Sequence, residues 1–369
     1  MKKIIALTLT LFCLTSCSGM KEKIQKVLNG TAEAESVDGT KKREGAKLCV
    51  FGSMDEKPVL WVDGKQVILS DESKNLSMED TDGTTLAALA DDNDIYALCY
   101  QDKKLVLYSN NTATILDDNV WYAGAAQILV QDGKPVAYIS VSDDKGNFTV
   151  CRYYDGLKST IVDSKVLEGF MIRNLTVHDG KLYGTANTMS QFGEAAVLVE
   201  GRITQLEPVW SDAHKVIVDG ANVVVCGRRC TDPDGFSDAE EADNPSAAAL
   251  WRNGKAENLE ANSEAVAYAK DGNDEYVLLV SSGDYDEEQG TFGNMKCTLW
   301  KNGKQTEVIT EEQYIKIPLL SVDGGKVTIV VDESTSGEQP SYNVFVWRDG
   351  KKETIYSGLK ETNIIGANF

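Results

Sequence analysis

One phrase recurs seven times along this chain: an apolar run, an aromatic residue or leucine, then a turn built on Asn-Gly or Asp-Gly. It is plainest in "ALWRNGKAENL", "TLWKNGKQTEVI" and "VFVWRDGKKETI". Aligned three residues before the turn glycine, the phrase places Trp61, Tyr108, Tyr153, Leu198, Trp251, Trp300 and Trp347 in one column, at spacings of 47, 45, 45, 53, 49 and 47. The turn column reads Gly64, Asn111, Gly156, Gly201, Gly254, Gly303 and Gly350, and its predecessors are Asp63, Asn110, Asp155, Glu200, Asn253, Asn302 and Asp349. Two-residue hairpin turns need positive φ at both central positions, which Asn-Gly and Asp-Gly supply. Only Asn111 replaces glycine, and asparagine is the next most tolerant residue there.

A second hairpin lies between these, in "VQDGKPVAYIS", "VHDGKLYGTA", "VDGANVVVCG", "AKDGNDEYVLLV" and "VDGGKVTIVV", with "ADDNDIYALC" as a weaker relative. Each repeat therefore offers four short strands. A period in the forties with four strands is that of a β-propeller blade, so the expected fold is all-β, a seven-bladed β-propeller of four-stranded blades. The first repeat opens at "KLCVFGS" without an inner strand, and the chain ends "ETNIIGANF", an inner-type strand with no blade behind it. The expectation is that the C-terminal strand closes the first blade. Trp61, Trp251, Trp300 and Trp347 recur once per blade, the pattern of packing between blades.

The chain opens "MKKIIALTLTLFCLTSCSGM", with Lys2 and Lys3 before an apolar run from Ile4 to Leu14. That run is too short for a spanning helix and reads as a secretory signal. "LTSC", Leu14 to Cys17, resembles a bacterial lipobox. The resemblance implies cleavage before Cys17 and a diacylglyceryl thioether plus an N-acyl chain on that residue. Several acyl chains give stable anchoring where one is marginal. The expected organisation is a signal peptide over 1–16, a lipidated flexible tether over 17–46, where "GTAEAESVDGTKKREG" has no apolar periodicity, and the propeller over 47–369.

Charge narrows the partners. The whole chain carries -20, and removing the signal takes two lysines and no acids, leaving 35 basic against 57 acidic residues, or -22. Nucleic acid demands a basic footprint and is not an expected partner. "SGMKEK" places no acidic cluster directly behind Cys17, unlike the surface-directed lipoproteins of some Gram-negative groups. This resemblance argument favours an outer-membrane lipoprotein facing the periplasm, with the cell surface left open. Outside the signal are Cys49, Cys99, Cys151, Cys226, Cys230 and Cys297, mostly within apolar alternations where a thiol is a small hydrophobe. Cys226 and Cys230, in "CGRRC", leave open a disulfide across a turn.

The loops between the second and third strands are short in early repeats and long in the last three, and long loops on a rigid scaffold are where function gathers. "CTDPDGFSDAEE" resembles an EF-hand calcium loop, with Asp232, Asp234, Asp238 and Glu241 at ligand positions and Gly235 at the sixth. Cys230 stands where the first aspartate belongs. A solvated acidic loop is the plain reading, and calcium, the one cofactor considered, is the second. The next loop carries Asp284, Asp286, Glu287 and Glu288, candidates for a carboxylate pair in glycoside hydrolysis. Between blades, Trp121, Tyr122, Trp210, Asp212, His214 and Tyr314 stand near the hub mouth. Aromatic faces beside carboxylates suit a sugar or a peptide, and rings capping the inner strands are the structural alternative.

The chain resembles propeller lipoproteins of Gram-negative Bacteroidetes, whose blades share a W-[KR]-[ND]-G-K hairpin. The likeness covers about residues 47–369 and implies architecture, not activity. Sequence therefore favours a membrane-tethered, non-enzymatic propeller that binds a protein or cell-envelope ligand through an acidic loop face. The alternatives are a glycan-active hydrolase using the loop carboxylates and a calcium-stabilised structural module.

Overall fold

A computed structural model describes residues 44–190, 193–232, 245–281, 285–286, 291–335 and 339–369. The recurrent Asn-Gly and Asp-Gly pairs are the tips of seven outer hairpins. In six of them both central residues have positive φ, between 46° and 52° at the first and between 76° and 81° at the glycine. The preference for Asn or Asp at the first position has a second cause. Its side-chain oxygen accepts an N–H at the start of the blade's second strand: Asp63 from Leu48, Asn110 from Ile95, Asn253 from Val223, Asn302 from Glu275 and Asp349 from Val327, at 2.9–3.1 Å. In these five blades the tip of the outer hairpin is thus tied to the base of the inner one, and backbone donors that would otherwise face solvent at the hairpin root are satisfied.

Seven four-stranded antiparallel sheets form. Their inner strands are Thr362–Asn368 for blade 1, Gly83–Ala90 for blade 2, Tyr122–Gln131 for blade 3, Phe170–His178 for blade 4, Ser211–Asp219 for blade 5, Ser263–Asp271 for blade 6 and Tyr314–Asp323 for blade 7. Each packs on the next around the hub, and that of blade 7 returns to that of blade 1. The architecture is the seven-bladed β-propeller expected from the repeat. Apart from one 3-10 turn at Glu72–Lys74, the described residues fold as strands and their connections. No helix among them is long and apolar enough to cross a membrane.

The repeated tryptophan column fills the seams. Trp61 of blade 1 packs with Val330 and Val346 of blade 7. Trp251 of blade 5, fully buried, packs with Tyr183 and Val197 of blade 4. Trp300 and Trp347 lie against blades 5 and 6 in the same way. Each ring faces the blade before it. A wide aromatic is what a seam between two twisted sheets can bury best. Trp251 also needs an acceptor for its indole N–H, and finds Glu207 at 3.0 Å.

Blade 1 is built from both ends of the described chain. Thr362–Asn368 pairs antiparallel with Cys49–Met54, and Lys57–Val62 and Lys65–Gln66 complete the sheet. Close approach at this closure requires Gly366, where an added Cβ would lie 2.2 Å from the Phe51 ring. Asp332, buried on the second strand of blade 7, anchors the closing strand. Its carboxylate accepts from Thr362 Oγ1 at 2.7 Å and from the Ile364 amide at 2.9 Å.

The six described cysteines are buried free thiols. Cys226 and Cys230 lie on one continuous strand, Asn222–Cys230, not across a turn. At about 3.3 Å per residue their Cα atoms are roughly 13 Å apart, beyond the ~7 Å limit of a disulfide.

Replacing Asp332 with Ala removes the acceptor of two buried donors and is expected to cost about 3 kcal/mol. Asp332→Asn, which keeps one acceptor oxygen, is expected to cost less. Urea unfolding of both variants checks this, and an unchanged midpoint for Asp332→Ala would show that the closing strand does not depend on the carboxylate.

Candidate ligand site at the hub mouth

All seven inner strands carry a bulge at one level. The extra residues fall at Leu86, Gly124-Ala125, Arg173, His214, Val266, Ile317-Pro318 and Ile365. A bulge re-aims the side chains beside it, and here the bulges surround the hub. At this level lies a cavity of about 560 Å³ to which every blade contributes, lined by the bulge residues Leu86, Gly124, Ala125, Arg173, Pro318 and Ile365 and by Lys215 and Ala267, which directly follow the other two bulges. That volume lies within the roughly 300–1,000 Å³ of small-molecule sites. The connections between blades and the loops between second and third strands open on the face at which the inner strands begin. Those loops lengthen from residues 55–56 in blade 1 to 231–245 in blade 5 and 282–295 in blade 6.

Three of the aromatic residues singled out from sequence are exposed on this face: Trp121 at 55%, Tyr122 at 43% and Tyr314 at 61%. The Trp121 carbonyl accepts from Tyr100 Oη at 2.8 Å, and the Lys103 ammonium stands 4.3 Å over its ring. Tyr122 lines the cavity and meets Phe148 edge-on, with centroids 5.9 Å apart. Gly124 gives that ring room, since a Cβ there would come within 3.0 Å of it. Tyr314 opens the inner strand of blade 7, three blades from Tyr122 through the ring closure.

Trp210, Asp212 and His214 come together differently. Trp210 is buried, and the Arg228 guanidinium lies 4.3 Å over its ring. Arg228 pairs with Glu264 at 3.2 Å and with Asp212 at 3.7 Å, and His214 Nε2 is 3.1 Å from Glu264 Oε2. Asn187 donates to Asp212 at 2.8 Å. Burial pushes the Glu264 carboxyl up, but the His214 hydrogen bond and the charges of Arg228 and His214 outweigh it, so its pKa falls below the usual 4.5. A carboxylate held ionised this way suits electrostatic positioning and not proton donation. The carboxyl of Asp332, buried on the second strand of blade 7, is pushed up by burial, yet its two oxygens are committed to Thr362 and Ile364.

Cys17, Asp234, Asp238, Glu241, Asp284 and Glu287 lie outside the described residues, as does the side chain of Asp286, whose backbone pairs in a short ladder with Thr291. Asp232 ends half-buried just beyond the second strand of blade 5. Among the described residues no group of three or more His, Cys, Asp or Glu side chains is arranged to hold a metal. Arg228, Glu264, Arg173 and Lys215 are site residues that sequence reading did not single out. The signal for the first was present, an Arg pair inside the apolar strand "VVVCGRRC". Nothing in the sequence marks which residue of an inner strand is the bulged one.

The class of protein is therefore set by fold and site: a seven-bladed propeller with a central cavity and an aromatic mouth. No protein-family model and no curated protein matches the chain. Among solved structures it is similar to CoXyl43, a GH43 β-xylosidase/α-arabinofuranosidase from a compost microbial metagenome, at 15% identity and a TM-score of 0.34 over 65% of this chain and 96% of that one. A GH43_1 enzyme from Xanthomonas citri gives 11% and 0.34 over 65% and 92%. A candidate TolB from Agrobacterium tumefaciens gives 11% and 0.34 over 85% and 90%. At these identities and TM-scores no activity passes from those proteins to this chain.

Because the folded-state pKa of Glu264 is depressed, its ionised form adds stability above the unfolded value near 4.5, and that contribution is lost as pH falls through the folded value. Glu264→Gln is expected to flatten the acid limb of the stability–pH curve below about pH 4.5. Melting temperature against pH reads this out, and parallel curves for the two proteins would contradict the pairing.

Proposed function

We propose that this protein is a membrane-tethered, non-enzymatic propeller that binds a cell-envelope glycan at the mouth of its hub. One observation carries the reading: Tyr122 exposes its ring on the wall of a cavity of about 560 Å³, and Trp121 and Tyr314 expose theirs where inner strands begin on the same face. Large aromatics normally bury themselves, so exposed rings on the face where a cavity opens mark a binding surface. Their faces match the C–H faces of a pyranose, and the side-chain amide N–H of Asn363 on the cavity wall suits donation to hydroxyls. The binding reading is further supported by the commitment of the hub carboxylates: Asp212 and Glu264 to Arg228, Asp332 to the closing strand.

The test uses the full chain in detergent micelles beside a Trp121→Ala/Tyr122→Ala/Tyr314→Ala variant on an array of envelope polysaccharides and peptidoglycan fragments, with reducing ends assayed in parallel. Glycan retention by the parent, reduced about tenfold or more in the variant, without new reducing ends, is the expected result. Release of reducing ends would replace this reading with the hydrolase. Retention of no glycan would remove it and return the search to a protein ligand.

The proposed tether is the acylated Cys17 at the end of "LTSC". Palmitate labelling of the expressed protein, abolished by Cys17→Ser together with its membrane fractionation, is the expected outcome. Labelling that survives the substitution would overturn it.

A further inference from the structure

The acidic excess of this chain is reversed in its hub. The sequence holds 57 acidic and 37 basic residues, yet the cavity wall, drawn from all seven blades, contains Arg173 and Lys215 and neither aspartate nor glutamate. Arg173 is the bulged residue of the inner strand of blade 4, exposed at the wall, and no carboxylate of the described residues pairs with it. Lys215 follows the equivalent bulge on the neighbouring strand of blade 5. Its ammonium donates to the Pro318 carbonyl at 2.6 Å and the Ile317 carbonyl at 3.3 Å, which form the bulge of blade 7. Burial lowers its pKa to about 8, only partly opposed by the neighbouring Cys226 thiol. On the same wall, Thr84 Oγ1 is buried without a hydrogen-bond partner.

Two cations on one cavity wall, with no carboxylate among the described lining residues, leave a positive site that favours an anion. The walls also focus that positive potential inward against a strongly negative exterior. We propose that the hub cavity receives the carboxylate of an acidic sugar residue, with Arg173 forming a bidentate pair and Lys215 adding charge. This rests on the glycan reading above and names the class of sugar. The guanidinium fork matches a planar carboxylate. The remaining wall, including Ile172, Leu319 and Tyr122, suits the apolar face of the ring that carries it.

The experiment is a ligand-observed NMR titration of the full chain in micelles with glucuronate, galacturonate and N-acetylmuramate. Each is set beside its methyl ester, with glucose 6-phosphate as a separate arm. At least one acid is expected to bind about tenfold more tightly than its ester. Arg173→Gln is expected to abolish that difference, and Arg173→Lys, which keeps the charge without the fork, to restore part of it, both at an unchanged melting temperature. Lys215→Gln is expected to weaken the acid alone. Equal binding of acids and esters would overturn the inference and leave the glycan reading standing. Tighter binding of the phosphate than of any acid would overturn the carboxylate assignment. If only acids bind, and the aromatic triple variant binds them as well as the parent does, the inference holds and the mouth reading falls. Binding of no sugar would remove both.

Discussion

Everything in this molecule depends on closing the ring. A four-stranded blade has two open edges and one apolar face too many, so it is stable only between neighbours. Six blades are formed from consecutive strands, but the seventh joins Thr362–Asn368 to Cys49–Met54, more than three hundred residues away. The loop-closure entropy of that contact is large but grows only logarithmically with chain length. It is offset by a full strand ladder, by Phe51 packed against Gly366, and by the Asp332 carboxylate holding the closing strand to blade 7.

Closure also makes the hub. Seven inner strands cannot meet at an axis without leaving space, and a bulge on each of them at one level shapes that space. Blades 4 and 5 supply cations at or beside the bulge, while blades 1, 2, 3, 6 and 7 supply apolar residues or glycine there. The result is a cationic cavity of mixed polar and apolar lining inside an acidic protein, on the face that bears the exposed aromatics. The ion network of Asp212, Arg228, Glu264 and His214 ties blade 5 to blade 6 at that level, which keeps the mouth rigid around whatever enters.

Much of the fold was legible in advance. The turn column, its period and the unmatched strands at the two ends gave seven blades and their closure, because hairpin turns impose a local backbone requirement that only a few residues meet. The tryptophan column is legible as packing because it recurs once per blade, and Trp251 and Trp347 fill the seams. The site was less legible. Trp121, Tyr122 and Tyr314 were placed at the mouth, but Trp210 from the same group is covered by Arg228. Spacing alone leaves the thiols of Cys226 and Cys230 open to pairing, because "CGRRC" does not by itself distinguish strand from turn.

What the sequence determined by itself was local and periodic: φ at a turn, alternation along a strand, the count of repeats, the excess of acid. What only the tertiary structure decided was where charge is concentrated. Arg173 and Lys215 are two cations among 37 in the chain, forty-two positions apart and unremarkable in either context. They share one cavity because a bulge shifts side-chain direction by one residue and because neighbouring inner strands converge at the hub. Neither effect has a one-dimensional signature, since each arises from how seven sheets must twist and bend to close on one another.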